Sequence, residues 1–227
     1  MRKEKVFVVI AAYNEEKKIT SVIKGLKKYG YKNIVVVDDG SGDKTFSTAS
    51  KENIHVLKHS INRGQGAALK TGIDYAILNR AEFIVTFDAD GQHHAEDIEK
   101  MLKVVQSGKF DVALGSRFLK KDSNTPILRK FVLKIGVLVV WIMYGIKLTD
   151  SHNGFRVFSR KAAQKISITS DRMEHASQIV EEIKKKNISY KEVPVTITYT
   201  DYSKTKGQSS FNSVKIGLRM IFRKLVS

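Results

Sequence analysis

The chain has 227 residues, 42% of them hydrophobic, which is enough to bury one substantial core, and it has no cysteine, which excludes a disulfide framework and any thiolate metal site. Forty basic against 23 acidic residues give a formal net charge of +17, an attraction toward something anionic: nucleic acid, an acidic lipid surface or phosphorylated substrates. The basic residues are mostly lysines scattered as on solvated helix faces, and no C2H2 spacing, RNP-like aromatic set or basic zipper occurs, so nucleic acid is set aside.

The start, Met1-Arg2-Lys3-Glu4-Lys5, runs into an apolar segment of about seven residues, too short for a secretory leader, which predicts a cytoplasmic protein. Residues 6–10 read as a strand, 15–28 as an amphipathic helix, and 34–37, 54–57, 83–87 and 112–114 as further strands. Continuous apolar strands separated by helices indicate an α/β fold, a mostly parallel central sheet flanked by helices. Beyond Gly115 the alternation weakens. Residues 154–158 and 189–199 read as strands and 174–186 as a helix.

Residues 131–146 are apolar apart from Lys134, unbroken from Ile135 to Ile146. A span needs roughly 20 residues, so this run is either a core helix or one lying at an interface. Near the end, Phe211, Val214, Leu218, Ile221, Phe222 and Leu225 recur at helical spacing among Lys215, Arg219, Arg223 and Lys224, a basic amphipathic helix that docks either on the core or on lipid. The expected organisation is one catalytic domain over residues 1–210 followed by this helix over 211–227.

Ligands of an open α/β sheet bind outside the carboxyl ends of its strands. Those ends are rich here: Ala12-Tyr13-Asn14-Glu15, Asp38-Asp39-Gly40-Ser41, Asp88-Ala89-Asp90-Gly91-Gln92 and Gly115-Ser116-Arg117. Asp38 or Ser41 alone would read as a helix cap. Four converging polar ends would not. The two carboxylates Asp88 and Asp90, with the Gln92 amide, are hard oxygen ligands suited to Mg²⁺ or Mn²⁺ that keeps positions open for phosphates. His93 and His94 follow, but without thiolates or a spaced histidine helix zinc is disfavoured. Asn62-Arg63-Gly64-Gln65-Gly66-Ala67-Ala68 reads either as a phosphate-binding turn or as close helix–sheet packing at Gly64 and Gly66; it lacks the Lys-Ser/Thr of a P-loop and the Gly-x-Gly-x-x-Gly spacing.

Taken together, these segments resemble the family-two glycosyltransferases of GT-A fold, most of all the dolichol-phosphate mannosyltransferase branch and its bacterial polyprenyl-phosphate relatives. The likeness runs from Val6 to about Phe211. It includes Phe87-Asp88-Ala89-Asp90-Gly91-Gln92-His93, Gly154-Phe155-Arg156 and Glu192-Val193-Pro194 in the family's order. The resemblance implies that Ala12, Tyr13, Glu15 and Asp39 hold the nucleoside, with Asp88 near the ribose and Lys70 and Ala89 completing the nucleotide-sugar set. It implies Asp90 and Gln92 as metal ligands, and Arg117, Arg129 and Arg156 as contacts to donor or acceptor phosphates, a role suited to the guanidinium fork. Three positions depart from the pattern. Ala11-Ala12 stand where a proline is usual, Asn153 replaces a serine, and Ser210 stands where a lysine often follows Gly-x-Ser.

The implied reaction is a single in-line displacement at the anomeric carbon, with inversion and loss of nucleoside diphosphate from a UDP- or GDP-sugar. A polyprenyl phosphate acceptor needs no general base. A saccharide or lipid-linked saccharide hydroxyl, the alternative, would need one, for which Asp150 and Glu174 (in Arg172-Met173-Glu174-His175) are the candidates. A non-catalytic nucleotide-sugar or membrane-binding module is a third reading, opposed by the intact Asp88-Ala89-Asp90 set. With no spanning run, attachment to the cytoplasmic face of a membrane would be peripheral or through a membrane partner protein.

Overall fold

In the computed structural model, which describes residues 3–120 and 127–199 (127–129 by backbone alone), seven strands form one sheet. They are β1 (Val6–Ala12), β2 (Asn33–Asp38), β3 (His55–Lys58), β4 (Phe83–Asp88), β5 (Val112–Ser116), β6 (Arg156–Ser159) and β7 (Tyr190–Pro194). Their order across the sheet is β3-β2-β1-β4-β6-β5-β7. All pairings are parallel except those of β6, which runs antiparallel to both β4 and β5. The helices are α1 (Ile19–Lys28), α2 (Thr45–Ser50), α3 (Gln65–Leu78), α4 (Asp97–Gln106), α5 (Ile127–Tyr144), α6 (Arg160–Lys165) and α7 (His175–Lys185). The α/β expectation is met.

The apolar strands follow from two cores, one on each face. In β1, Val6, Val8, Ile10 and Ala12 pack with Ile19, Ile23 and Leu26 of α1 and Met101 and Leu102 of α4. Phe7 and Val9 point the other way, toward Leu69 and Ile73 of α3 and Ile179 and Ile183 of α7. Successive strand side chains alternate faces, so a strand covered on both sides must be apolar throughout. Gly72 lets α3 sit close: a Cβ there would stand 2.3 Å from Val9 Cγ1.

Three elements are shorter than their patterns predict. The helix after β1 starts at Ile19, because Asn14 takes a left-handed backbone (φ 54°) and the N–H groups of Glu15 and Glu16 are held by side chains of a neighbouring loop. Strand β6 starts at Arg156, after an Asx-type turn in which Asn153 Oδ1 accepts from Phe155 N. Strand β7 stops at Pro194, which has no N–H to extend the ladder; a single bridge, Ile197 with His93, follows.

Helix α5 fills most of the apolar run and is not a core helix. Val140 is buried, yet Phe131, Ile135, Leu138, Trp141 and Ile142 are exposed. Among the described residues no helix is long and apolar enough to cross a membrane. The C-terminal segment 211–227 and the side chain of Arg129 lie outside the described residues.

Candidate active site

The carboxyl ends of β1 and β2 are stitched to each other. Asn14 N donates to Ser41 Oγ (2.9 Å) and Gly42 N to Asn14 Oδ1 (2.9 Å). Glu15 N donates to Thr45 Oγ1 (2.7 Å), Glu16 N to Asp43 Oδ2 (3.2 Å) and Lys44 N to Glu16 Oε2 (3.0 Å). Ser41 thus receives the β1 loop and caps nothing. Above this frame Tyr13 stands half exposed, while Ala12 and Glu15 are buried.

Asp39 holds the glycine loop: Oδ1 accepts from Arg63 N (3.0 Å) and Oδ2 from Gly64 N (2.7 Å). His59 Nδ1 also lies 2.7 Å from Oδ1; a carboxylate can only accept, so Nδ1 carries a proton, and Nε2 lies 3.0 Å from Thr71 Oγ1. The loop is a packing device. Gly64 has φ 115°, and a Cβ on Gly66 would fall 2.1 Å from Ser170 O and 2.8 Å from His175 Cβ. Ala67 N, at the head of α3, donates to Asp171 O (3.0 Å). Gly64 and Gly66 do pack closely, though against the 170–175 segment and not against the sheet, and the N–H groups of Arg63, Gly64 and Ala67 are already engaged.

The end of β4 carries the crowded charge. Asp88 accepts from Gln65 Nε2 (3.1 Å) and from His93 Nε2 (2.7 Å), and Gly154 lies so near that a Cβ would touch its carboxylate at 2.9 Å. The His93 ring is wedged between Phe87 and Phe155, centroids 5.4 and 5.1 Å away. Burial works to raise the Asp88 pKa, but His93, His175 and Arg117 outweigh it and hold the group below the usual carboxylate range. Asp90 goes the other way, pushed up to about 6 by burial, then by the neighbouring Asp88 and by Glu15, although Gln92 N donates to its Oδ1 (2.9 Å). Ala89 and Gln92 are buried beside them.

Beyond β4, two assignments need correction. Asp150 is no free base: its Oδ2 accepts from Arg117 Nε (2.6 Å) and N (3.2 Å) in a pair buried on both sides. Arg156 is no surface phosphate contact; it is buried and donates to Asn153 O (3.2 Å) and Ala176 O (3.0 Å), bracing β6 against α7. Burial lowers the Arg156 pKa to about 10 against the pull of Asp88 and Asp150. Arg117 also donates from Nη1 to Tyr199 OH (2.9 Å). Two of its five guanidinium N–H groups are engaged in these bonds. Glu174 heads α7, half-buried beside His175; burial, and then Arg156, lower the His175 pKa to about 4, so that residue is neutral near pH 7. Lys70 is not brought to this group. It pairs with Asp74 and lines a separate groove of about 500 Å³ with Ile73, Phe158 and Lys186.

One feature was missed by residue-type reasoning. The buried side-chain atoms that lack a hydrogen bond among the described residues are both Asp38 oxygens, His93 Nδ1, Asp150 Oδ1 and Asn153 Nδ2, all at this rim. Asp38, which taken alone would read as a helix cap, leaves both oxygens unpaired among the described residues. Buried polar atoms are otherwise paired almost without exception, so these five atoms stand out. No three His, Cys, Asp or Glu side chains among the described residues close around a point. An all-protein metal cage is therefore absent from the described residues, whereas a cation held by one or two carboxylates plus substrate oxygens needs none.

The family model for glycosyl transferase family 2 matches residues 7–167. The chain belongs to that family. It is 34% identical to a UDP-N-acetylglucosamine–dolichyl-phosphate N-acetylglucosaminyltransferase of Methanococcus voltae, over 97% of this chain and 95% of the relative. It is 29% identical to a dolichyl-phosphate β-glucosyltransferase of Dictyostelium discoideum, over 96% and 74% of the two chains. The fold is shared with Mycobacterium tuberculosis glucosyl-3-phosphoglycerate synthase, solved with Mn²⁺, UDP and its product (TM-score 0.74, 15% identity, 98% of this chain and 78% of that one). The GT-A fold of this family 2 chain gathers Asp88, Asp90, Gln92, Arg117 and Asp150 on one rim.

Proposed function

We propose that this family 2 protein is an inverting, metal-dependent hexosyltransferase that moves a sugar from a nucleotide-diphosphate donor to a polyprenyl phosphate at the cytoplasmic face of a membrane. The observation that carries the reading is Asp90, an acid held at about pH 6 by burial and by Asp88 and Glu15, so that a cation is the natural relief of the repulsion. The names of the dolichyl-phosphate relatives support the acceptor class. The donor set fits Mg²⁺ or Mn²⁺: Asp90 and Gln92 would hold the ion, which supplies Lewis-acid neutralisation of the charge that builds on the departing diphosphate.

The chain's own residues do the rest. Asp88, oriented by Gln65 and His93, faces the ribose, and Tyr13 covers the base. Arg117, fixed by Asp150 and Tyr199, turns its remaining N–H groups toward phosphate oxygens, ready-made stabilisation of developing charge. As the acceptor oxygen bonds to the anomeric carbon, the bond to the diphosphate breaks on the opposite side. A phosphate monoester is anionic already and gives up no proton, so the binding of Asp150 to Arg117 leaves nothing missing.

The test is sugar transfer from UDP-N-acetylglucosamine, UDP-glucose and GDP-mannose to a short-chain polyprenyl phosphate, with Mn²⁺ and with EDTA. Transfer with the metal and none with the chelator is expected. Glu174→Gln should lose less than the ~10²–10⁴-fold of a missing general base. Transfer to a sugar hydroxyl and never to the phosphate lipid, or full activity in EDTA, overturns the reading.

A further inference from the structure

The outer face of α5 has no use in the chemistry above. At 100° per residue, Phe131, Ile135, Leu138 and Ile142 fall within an arc of about 60°. They are 64%, 45%, 48% and 73% exposed, and Trp141 (47%) flanks them. A stripe of this size, running about 17 Å along the helix from Phe131 to Ile142, is beyond the scatter of single exposed hydrophobics on a soluble surface. The stripe is collared by exposed Lys130, Lys134 and Lys147, with Lys147 Nζ 5.8 Å from the Trp141 ring, and residues 127–149 contain no Asp or Glu. The inner face is fixed to the site: Gly136 lies against His152, where a Cβ would stand 2.6 Å from Cε1, and His152 belongs to the loop of Asp150 and Asn153.

We infer that α5 is an interfacial helix that lies flat on an anionic lipid bilayer, its apolar stripe in the acyl boundary and its lysines among the headgroups. Charge selects this occupant. A second copy of α5 would set one lysine collar against another. The chain's own residues 200–227 carry six basic side chains and one acidic, so they too are repelled. A lipid surface with anionic headgroups complements both the stripe and the collar. Because Gly136 seats α5 on the 150–153 loop, docking would put the mouth of the site at headgroup depth. The inference rests on the proposed lipid acceptor and adds which surface meets the membrane.

The experiment uses the full chain and its Phe131→Asp/Ile142→Asp variant, sedimented with vesicles of phosphatidylcholine alone or with phosphatidylglycerol. Wild type should pellet with the mixed vesicles, less with phosphatidylcholine, and less again as salt shortens the Debye length below about 10 Å. The variant should bind the mixed vesicles at least about tenfold more weakly, since two carboxylates enter the apolar stripe. Its circular dichroism and its transfer to a water-soluble short-chain polyprenyl phosphate should match wild type. Equal sedimentation of variant and wild type overturns the inference. So does a wild-type dimer, dissolved by the same substitutions, that binds no vesicles. Loss of soluble-acceptor transfer in both proteins would instead overturn the proposed function and leave the vesicle result standing.

Discussion

The two rims of the site are held together by different forces. Around the ends of β1 and β2, loop N–H groups are received by side-chain oxygens of Ser41, Asn14, Thr45, Asp43 and Glu16. Around β4 and β6, charge is gathered closer to the interior: half-buried Asp88 accepts from His93, buried Arg117 pairs with buried Asp150, and buried Arg156 lies in the field of both carboxylates. Backbone bonds of the first kind fix shape at a modest net gain each, whereas a buried charge costs several kcal/mol to desolvate and tolerates few rearrangements. Under the proposed function the first rim would mould the nucleoside, and the second would set electrostatic energy where the diphosphate leaves. Asp38, Asp39 and Glu15 are buried carboxyls on the first rim as well.

Asp90→Asn should separate the rims most sharply. It removes the ligand charge, so transfer should fall by about 10³-fold or more, the scale of losing a metal's several kcal/mol of charge stabilisation. The same change should raise the melting temperature of the metal-free protein at pH 7–8. A carboxyl whose folded pKa is raised from 3.8 to about 6 contributes stability below pH 3.8 that is lost as pH rises through 6, and the amide never ionises. By the same sign, Mn²⁺ affinity of wild type should weaken about tenfold per pH unit below 6, measurable by calorimetry. Undiminished activity in the variant would end the contrast.

Arg156→Met comes next. It strands Asn153 O and Ala176 O and removes a buried cation near Asp88 and Asp150. Urea unfolding should show a loss of about 2–4 kcal/mol. A variant of native stability that has lost only acceptor affinity would return Arg156 to the phosphate role its motif implied. Thr45→Val is the smallest change. It deletes the acceptor of Glu15 N on a fully buried side chain, and about 1 kcal/mol of stability should go with it. KM for the donor should rise while kcat holds, since this rim shapes and does not react; a kcat collapse would show that the mould carries chemistry.

Much of this was legible before any coordinates. The strands read from their β-branched runs because both sheet faces are covered, and Asp88-Ala89-Asp90 read as a ligand edge because it ends one of them. What escaped was partnership across distance. Asp150 lies 33 residues from Arg117 and Asp39 lies 20 from His59, so spacing could not show that Asp150 is spoken for or that Asp39 anchors a loop. Arg156 follows Gly-Phe as a phosphate arginine should, yet strand β6 carries it inward between two neighbours. The apolar run behind α5 named a helix; which side faced outward depended on Gly136 meeting His152, a contact outside any local pattern.

The reversed direction of β6 has one more consequence. The chain leaves the sheet at Ser116, at the end of β5, and re-enters at Arg156, the start of β6, and because the two strands run opposite ways both points lie on the same edge. The excursion between them opens on Arg117 and closes on the 149–155 loop, both tied into the site, and it carries α5 in between. An engineer wishing to redirect this enzyme to a new address would therefore recast the outer face of α5 and leave those two ends untouched.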